Sequence, residues 1–236
     1  EADSHFIEDN PKNYSSSLIN LLLFSQMTGS RKDVRESVMK LNALRKKLRN
    51  KVSLQLELHI LFHAANTEML IYRNSCDLTR GRIVAKKIET ELPKYPNEVP
   101  QQLKAALLSN LCSFYVIDQK YELALAAVNR LLKETSVNFK SDVNYFARII
   151  QLMIHFELKN YDLLEYLAGS ASNFFKSQKG TFKIENILIN FFKNIVKHAP
   201  PEFKAAFEEL LFRLKKAMKE REGNALHAYF DFVSWA

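Results

Sequence analysis

The sequence contains little of what tight turns need, with only five glycines and six prolines in 236 residues. Both shares are below those of an average protein. Sandwiches, barrels and doubly wound α/β folds depend on frequent turns and glycine-rich loops, so this composition disfavours them. The chain is 47% hydrophobic and 25% charged, which is typical of a folded globular protein and excludes a disordered one. The composition therefore predicts a protein built from long helices.

Cysteines and long apolar runs are also scarce. Cys76 and Cys112 are too few for a disulfide framework, which predicts a reducing, cytoplasmic location. No apolar run approaches the roughly 18 residues that a transmembrane segment requires, because even residues 18–24 are interrupted by Asn20. The chain begins at Glu1 with neither Met nor a signal-peptide pattern, as expected for a piece of a longer protein.

Apolar residues recur at helical spacing along nearly the whole chain, and no stretch shows the period of a strand. The positions that fall on one face of the second helix, for example, are Val34, Val38, Leu41, Leu44 and Leu48. The sequence predicts an all-α fold, with a polar leader over residues 1–12 and a single domain over 13–236. The helix pairs expected in that domain cover residues 14–49, 53–92, 100–135, 142–176 and 182–222.

A last helix is predicted over residues 225–235. Its aromatic residues are Tyr229, Phe230, Phe232 and Trp235. Together they are too apolar to be exposed to water. We expect this helix to cap the domain by packing on the helices of residues 182–197 and 201–222.

The stretch LLSNLCSFYVIDQKYELALAAVNRLL, residues 107–132, contains a recognisable pattern of large and small side chains. Its first helix carries Leu108, Leu111, Cys112 and Tyr115, and its turn and second helix carry Tyr121, Ala124, Val128 and Leu131. This pattern resembles the tetratricopeptide repeat (TPR), W-x2-L-G-x2-Y followed by a small residue nine positions on. The small residue lets two helices approach closely, while the larger side chains fill the seam.

Two neighbouring stretches keep the spacing less completely. Their matching residues are Tyr72, Gly81, Ala85, Ile88 and Pro93 in one, and Leu152, His155, Tyr161 and Leu164 in the other. The small-residue positions 81, 124 and 164 are 43 and 40 residues apart rather than 34, so a HEAT-like stack remains an alternative. The TPR resemblance implies a right-handed α-α superhelix of about five antiparallel helix pairs plus the capping helix. The Phe-rich second half is also similar to the C-terminal part of long bacterial helical-repeat proteins.

None of the catalytic motifs sought is found, since the chain lacks a glycine-rich phosphate loop, a G-x-S-x-G elbow and a C-x-x-C pair. His59 and His63 are four residues apart on a predicted helix and could share a metal ion, but no nearby Asp or Glu completes a site. The simpler interpretation has His59 partly buried and His63 facing the groove or solvent. Cys76, Cys112 and His155 are expected to be packing residues. We expect a non-enzymatic protein without catalytic residues, cofactor or metal.

Positive charge is concentrated in one segment. Residues 31–51 carry a net charge of +7, against +8 for the whole chain. The basic residues of this patch are Arg31, Lys32, Arg35, Lys40, Arg45, Lys46, Lys47, Arg49 and Lys51. Such a helix can meet nucleic acid, an anionic membrane surface or an acidic protein, or it can be a solvated face. Because interleaved aromatic residues for base stacking are lacking, an acidic protein is favoured over nucleic acid.

The TPR resemblance also implies a ligand groove, because TPR proteins bind along the first helices of their pairs. The corresponding residues here are His63, Asn66, Leu70, Arg73, Asn74, Ser109, Ser113, Met153 and Phe156. Phe146, on the same helix face, is expected to pack internally. The leading hypothesis is a scaffold or adaptor that binds a peptide or partner protein on this concave surface. The alternative is a nucleic-acid-associated protein that acts through the basic helix 31–51.

Overall fold

A computed structural model describes residues 10–28, 31–134, 141–180, 182–219, 226 and 229–236. Over these residues the protein contains eleven α-helices and no β-strand, so the prediction of an all-α fold is confirmed. None of the described helices combines the length and the apolar character that a membrane-spanning segment requires.

Ten of the helices are long, and the outer bounds expected for the five helix pairs lie within three residues of the observed helix ends wherever they fall on described residues. The ten long helices are α1 (Pro11–Thr28), α2 (Arg31–Leu48), α3 (Leu54–Asn74), α4 (Leu78–Glu91), α5 (Gln101–Ile117), α6 (Tyr121–Glu134), α7 (Ser141–Glu157), α8 (Tyr161–Ser177), α9 (Lys183–Ile195) and α10 (Phe203–Lys219). A four-residue helix, α11 (Phe232–Trp235), lies near the end of the chain. Short 3-10 turns at Leu92–Lys94 and Pro200–Glu202 contain the prolines that interrupt the longer helices.

The chain divides into two compact units, an N-terminal unit of residues 1–110 and a C-terminal unit of residues 111–236, with the boundary inside α5. In the N-terminal unit α1 packs on α2, α2 on α3 and α3 on α4, and α1 also contacts α3. In the C-terminal unit α6 packs on α7, α7 on α8, α8 on α9 and α9 on α10, and α7 also contacts α9. Each unit is therefore a series of sequential helices. The expectation of a single domain over 13–236 stays a prediction.

The core of the N-terminal unit confirms the helical periodicity of α2. All five of its predicted inward positions are buried, and they are Val34, Val38, Leu41, Leu44 and Leu48. They pack with Leu18, Ile19 and Leu22 of α1 and with Ile60 and Ala64 of α3. Because burial of each large aliphatic side chain contributes about 1.5–3 kcal/mol, this seam fixes which face of α2 is left for solvent.

The connections α3–α4, α5–α6 and α7–α8 share one backbone hydrogen-bonding pattern. Each contains a non-glycine residue with positive φ, namely Cys76 (52°), Gln119 (55°) and Lys159 (59°). The next N–H then donates to the carbonyl five residues earlier, from Asp77 to Tyr72 at 3.0 Å, from Lys120 to Tyr115 at 2.8 Å and from Asn160 to His155 at 2.9 Å. This is the Schellman arrangement that satisfies the last carbonyls of a helix.

These turns occur at equivalent places in the three stretches that match the repeat pattern. The carbonyl acceptors belong to residues 72, 115 and 155, which occupy the tyrosine position of the repeat pattern. The residues at the small position, Gly81, Ala124 and Leu164, are all buried at the start of the second helix. His155 is 4% exposed and its Nδ1 lies 3.3 Å from Asn160 Nδ2, so it packs internally with a hydrogen-bonding neighbour, as predicted. The middle three helix pairs thus share the same turn and the same buried position in the second helix.

The C-terminal segment is less helical than predicted. Residues 225, 227 and 228 lie outside the described part of the chain, and α11 begins only at Phe232. The reason is local, because one carboxylate oxygen of Asp231 accepts hydrogen bonds from the N–H groups of Val233 and Ser234 and so caps the helix there.

Trp235 packs against aromatic side chains of the two helices that were expected to receive the C-terminal segment. Its ring centroid lies 5.7 Å from Phe192 of α9 and 5.4 Å from Phe207 of α10, and its Nε1 donates to Glu157 Oε1 at 2.7 Å. Edge-to-face and tilted contacts of this kind add about 0.5–1.5 kcal/mol per pair to the burial itself. The predicted packing on the helices of residues 182–197 and 201–222 is confirmed for this side chain.

The positive φ of Lys159 predicts a stabilising substitution. We expect Lys159→Gly to raise the free energy of unfolding by about 0.5–1 kcal/mol, since it removes a left-handed Cβ clash of about 1–2 kcal/mol and adds a smaller cost in unfolded-chain entropy. Thermal unfolding followed by circular dichroism should show a rise in Tm of about 2 °C. Lys159→Ala keeps the Cβ atom and is the matched control. An equal rise for both variants would contradict this account of the turn.

The contacts of Trp235 predict that Trp235→Ala lowers the free energy of unfolding by about 3 kcal/mol, because it leaves a cavity among the aromatic side chains of α9 and α10. Trp235→Phe keeps most of the burial but loses the bond to Glu157, so a loss of about 1 kcal/mol is expected. Urea unfolding should be followed by circular dichroism, because Trp235 is the sole tryptophan. Tyr166→Ala, at a position 73% exposed, is the control and should change little. A Trp235→Ala midpoint equal to that of the control would refute a capping role.

Candidate partner-binding surface

One face of α3 carries most of the predicted groove residues. His63, Asn66, Leu70 and Arg73 are spaced three or four residues apart, so the helical repeat places them in one row. His63, Asn66 and Leu70 are partly buried, and Asn74 beside them is exposed. The structure therefore brings these five residues to one side of α3, as the spacing predicts.

The polar members of this row are joined by Asn110 of α5. Asn110 Nδ2 donates to Asn66 Oδ1 at 2.9 Å, and Arg73 Nη1 donates to Asn110 Oδ1 at 3.0 Å. Arg73 Nε also donates to Asn74 Oδ1 at 3.2 Å. The amide group of Asn110 thus uses both its donor and its acceptor side within the N-terminal unit, and sequence reasoning did not single it out.

Arg73 is a buried cation, with only 8% of its surface exposed. Burial lowers the pKa of its guanidinium to about 10, so the group remains charged at neutral pH. Its position in the last turn of α3 is favourable, because the C-terminal end of a helix stabilises positive charge. Arg73 therefore organises the amide network from inside, while Asn74 is the member that faces solvent.

Other residues of the predicted groove lie in the interior. Ser109, Ser113 and Met153 are at most 1% exposed. The two hydroxyls bond internally, from Ser109 to the Ala105 carbonyl at 2.7 Å and from Ser113 to the Tyr229 carbonyl at 2.9 Å. As described, these three side chains offer no surface to a partner.

Phe156 and Phe146 both take part in internal aromatic packing. Phe156 is partly buried, and the rings within about 6 Å of it belong to Tyr161, Phe191, Phe192, Phe203, Phe207 and Trp235. Phe146 is fully buried and stacks on Tyr229 with ring centroids 5.0 Å apart. The predicted internal packing of Phe146 is confirmed, and Phe156 belongs to the same kind of environment.

A cavity of about 220 Å³ lies between α1, α2 and the end of α3. It joins two parts of the predicted surface, since Leu70 and Asn74 from the groove and Arg35 from the basic patch all line it. The remaining lining residues are Ser25, Gln26, Val34, Ile71 and Ser75. Its volume is below the roughly 300–1,000 Å³ of small-molecule sites, so it suits a single side chain of a partner.

The basic patch lies along the solvent face of α2 and in the turn after it. The exposed members are Lys32, Arg35, Lys40, Lys46, Lys47, Arg49 and Lys51. Arg45 is partly buried with its guanidinium 3.7 Å from the Glu57 carboxylate, and the side chain of Arg31 is outside the described residues. Lys40 donates to Glu36 at 2.7 Å, and this hydrogen bond lowers the pKa of the Glu36 carboxyl. Most of the predicted positive charge is therefore presented to solvent.

Large apolar side chains are exposed on α2 and on the neighbouring helix α1. Met39 of α2 is 65% exposed, and Phe24 and Leu21 of α1 are 63% and 46% exposed. Single exposed apolar residues are normal, whereas several large ones on neighbouring helices are typical of a protein-binding surface. Binding to phosphate groups is electrostatic and does not require exposed apolar side chains.

The two histidines of α3 lie side by side. The rings of His59 and His63 meet edge to face with centroids 4.5 Å apart. Burial lowers the pKa of both imidazoles, and burial together with the charge of His59 brings the pKa of His63 to about 4. Within the described ranges, no three His, Cys, Asp or Glu side chains are grouped so that they could hold a metal ion.

The two cysteines differ in environment. Cys112 is fully buried, and burial raises the pKa of its thiol, so it packs as a neutral hydrophobic side chain, as predicted. Cys76 is exposed and occupies the left-handed position of the α3–α4 turn, so the packing interpretation does not describe it.

No protein-family model matches the chain, and no curated protein or solved structure is significantly similar to it. The geometry and chemistry of its surfaces are therefore what indicates its role.

The low pKa of His63 predicts a pH-dependent stability. An unfolded histidine has a pKa of about 6.5, so below that pH the unfolded chain binds a proton that the folded chain takes up only near pH 4. Above pH 6.5 His63 is neutral in both states, and its protonation does not reduce the free energy of unfolding. As the pH falls from 6.5 to 4, protonation favours the unfolded chain, and we expect the free energy of unfolding to fall by about 3 kcal/mol. Urea unfolding at pH 7.0 and pH 4.5 should show a smaller difference for His63→Gln and His63→Leu than for the wild type. Equal differences in all three proteins would contradict this prediction.

Proposed function

We propose that the chain is a non-enzymatic protein-interaction module, a TPR-like right-handed superhelix of helix pairs that binds a peptide or partner protein along the first helices. The repeated turn at Cys76, Gln119 and Lys159 supports a repeat architecture. Stacked repeats build extended surfaces suited to partner binding. Architecture alone does not determine function, so the proposed function depends on the chemistry of the surface.

The observation that carries this proposal is the cavity beside Leu70 and Asn74. It has an apolar floor from Val34, Leu70 and Ile71, and polar groups at its rim from Arg35 and Asn74. An anchoring side chain of a partner is desolvated in such a pocket, while an amide and a guanidinium fix the neighbouring backbone or carboxylate. The exposed cations of α2 then attract an acidic partner and speed its association.

The alternative function is nucleic-acid binding through the same basic helix. The observation that favours it is the row of exposed Lys and Arg side chains on α2, which matches the electrostatic requirement for phosphate contact. Salt separates the two hypotheses. A protein that neutralises six to ten phosphates loses about 10³–10⁵ in affinity between 50 and 200 mM salt, whereas a side chain buried in an apolar cavity depends little on salt.

The test is a pull-down from lysate with the wild-type chain and three variants, washed at 0.1 M and 0.5 M salt. Ser75→Trp fills the mouth of the cavity from an exposed position that lines it. Lys32→Glu with Lys46→Glu reverses two exposed charges on α2 outside the cavity, and Lys86→Glu on α4 is the control that reverses one exposed charge. Bound proteins are identified by mass spectrometry, and bound nucleic acid is quantified.

We expect a protein that the wild type and Lys86→Glu retain at 0.5 M salt and that Ser75→Trp loses. Nucleic acid that is released at 0.5 M salt and lost only in the charge-reversed variant would establish the alternative. If Ser75→Trp retained every partner of the wild type, the cavity would have no role in binding.

A further inference from the structure

A groove that sequence reasoning did not single out runs between α9 and α10 in the C-terminal unit. Its wider part has a volume of about 750 Å³ and lies between the start of α9 and the end of α10. A narrower part of about 220 Å³ continues toward the other end of α9 and shares Ile187, Asn190 and Arg213 with the first. Together the two parts follow the whole length of α9.

A row of asparagines forms one wall of this groove. Asn186, Asn190 and Asn194 are exposed, line the groove and stand four residues apart on α9. The other faces of α9 are buried, through Ile184, Ile187, Leu188, Phe191, Phe192 and Ile195. Asparagine is a weaker helix former than Lys, Glu or Gln, so helix stability gives no reason to place it three times on the only solvent-facing row.

The spacing of these amides matches the repeat of an extended peptide. Four residues of α-helix rise about 6.0 Å, and two residues of extended chain rise about 6.6–6.8 Å. Over the three asparagines the mismatch is only about 1–2 Å, which is within the reach of their side chains. Each carboxamide offers a donor and an acceptor, which are the groups that a peptide unit requires.

The charge of the groove selects the side chains of its ligand. Its lining includes four basic residues, Lys183, Lys197, Arg213 and Lys216, against the single carboxylate of Glu209. Glu209 lies 3.7 Å from Arg213, but both side chains are largely exposed and the pair is weak. Phe212 is 69% exposed at the wider part and supplies an apolar surface for one side chain of a bound segment.

We propose that the α9–α10 groove binds an extended, acidic peptide segment of a partner protein. Asn186, Asn190 and Asn194 exchange hydrogen bonds with alternate peptide groups, so about four to six residues are held. Arg213 and Lys216 bind the acidic side chains, and Phe212 contacts an apolar one. This site is separate from the cavity proposed above and recognises backbone, whereas that cavity recognises a side chain.

The test uses fluorescence anisotropy with a labelled six-residue peptide of alternating Glu and Val. A second peptide has the same sequence with every other amide N-methylated, which removes backbone donors and leaves the charge unchanged. A third replaces Glu by Lys. The proteins are the wild type, Asn190→Ala with Asn194→Ala, and the control Asn173→Ala, an exposed asparagine of α8. Circular dichroism checks that each variant is folded, which is expected because Ala favours helix.

We expect the double variant and the N-methylated peptide each to weaken binding about tenfold, as two lost hydrogen bonds require. The Lys peptide should not bind, and Asn173→Ala should bind like the wild type. The cavity variant Ser75→Trp should also bind normally, which separates this site from the proposed function.

Equal affinity of the double variant and the wild type would overturn the proposal, as would equal affinity of the methylated and unmethylated peptides. If a single-stranded oligonucleotide of the same charge displaced the peptide and bound more tightly, the groove would be a phosphate site instead.

Discussion

The reversal of the chain within the central helix pairs depends on one backbone hydrogen bond. Donation from Asp77, Lys120 and Asn160 to the carbonyl five residues earlier closes each first helix and aims the second helix back along it. The residue directly before each donor adopts a left-handed conformation, which is strained because none of these three residues is glycine. Once the turn is closed, Gly81, Ala124 and Leu164 are placed at the same buried position of each pair. The bulk of Leu164 shows that the turn, rather than the small residue, is what the pairs have in common.

Features that depend on neighbours in sequence were predictable. The outer bounds of the helix pairs and the buried face of α2 follow from apolar residues at helical spacing, which the sequence displays directly. The same holds for the exposed basic face of α2, since the side opposite a buried stripe has to meet solvent. The C-terminal helix was overestimated because Asp231 caps it at Phe232, and a four-residue helix leaves no periodic signal.

Features that depend on residues far apart in sequence were not predictable. Ser113 bonds to the carbonyl of Tyr229, 116 residues away, and no local pattern connects the two. Asn110 joins Asn66 to Arg73 through separations of 44 and 37 residues. The groove residues came from a family pattern that assumes a particular exposure for each first helix. Burial of Ser109, Ser113 and Met153 is set by how the helices pack, which that pattern does not specify.

Asparagine has two different roles in this protein, and burial distinguishes them. Asn66 and Asn110 are partly buried and satisfy each other and Arg73, because an unpaired amide in the interior costs about 1–3 kcal/mol. Asn186, Asn190 and Asn194 are exposed, so no such penalty requires them, and their helix propensity is unfavourable. These three asparagines are neither required by internal hydrogen bonds nor favoured by helix formation. Their recurrence at every fourth position therefore needs another reason. The extended peptide proposed for this groove would supply that reason, because its two-residue rise comes close to the rise of four residues of helix.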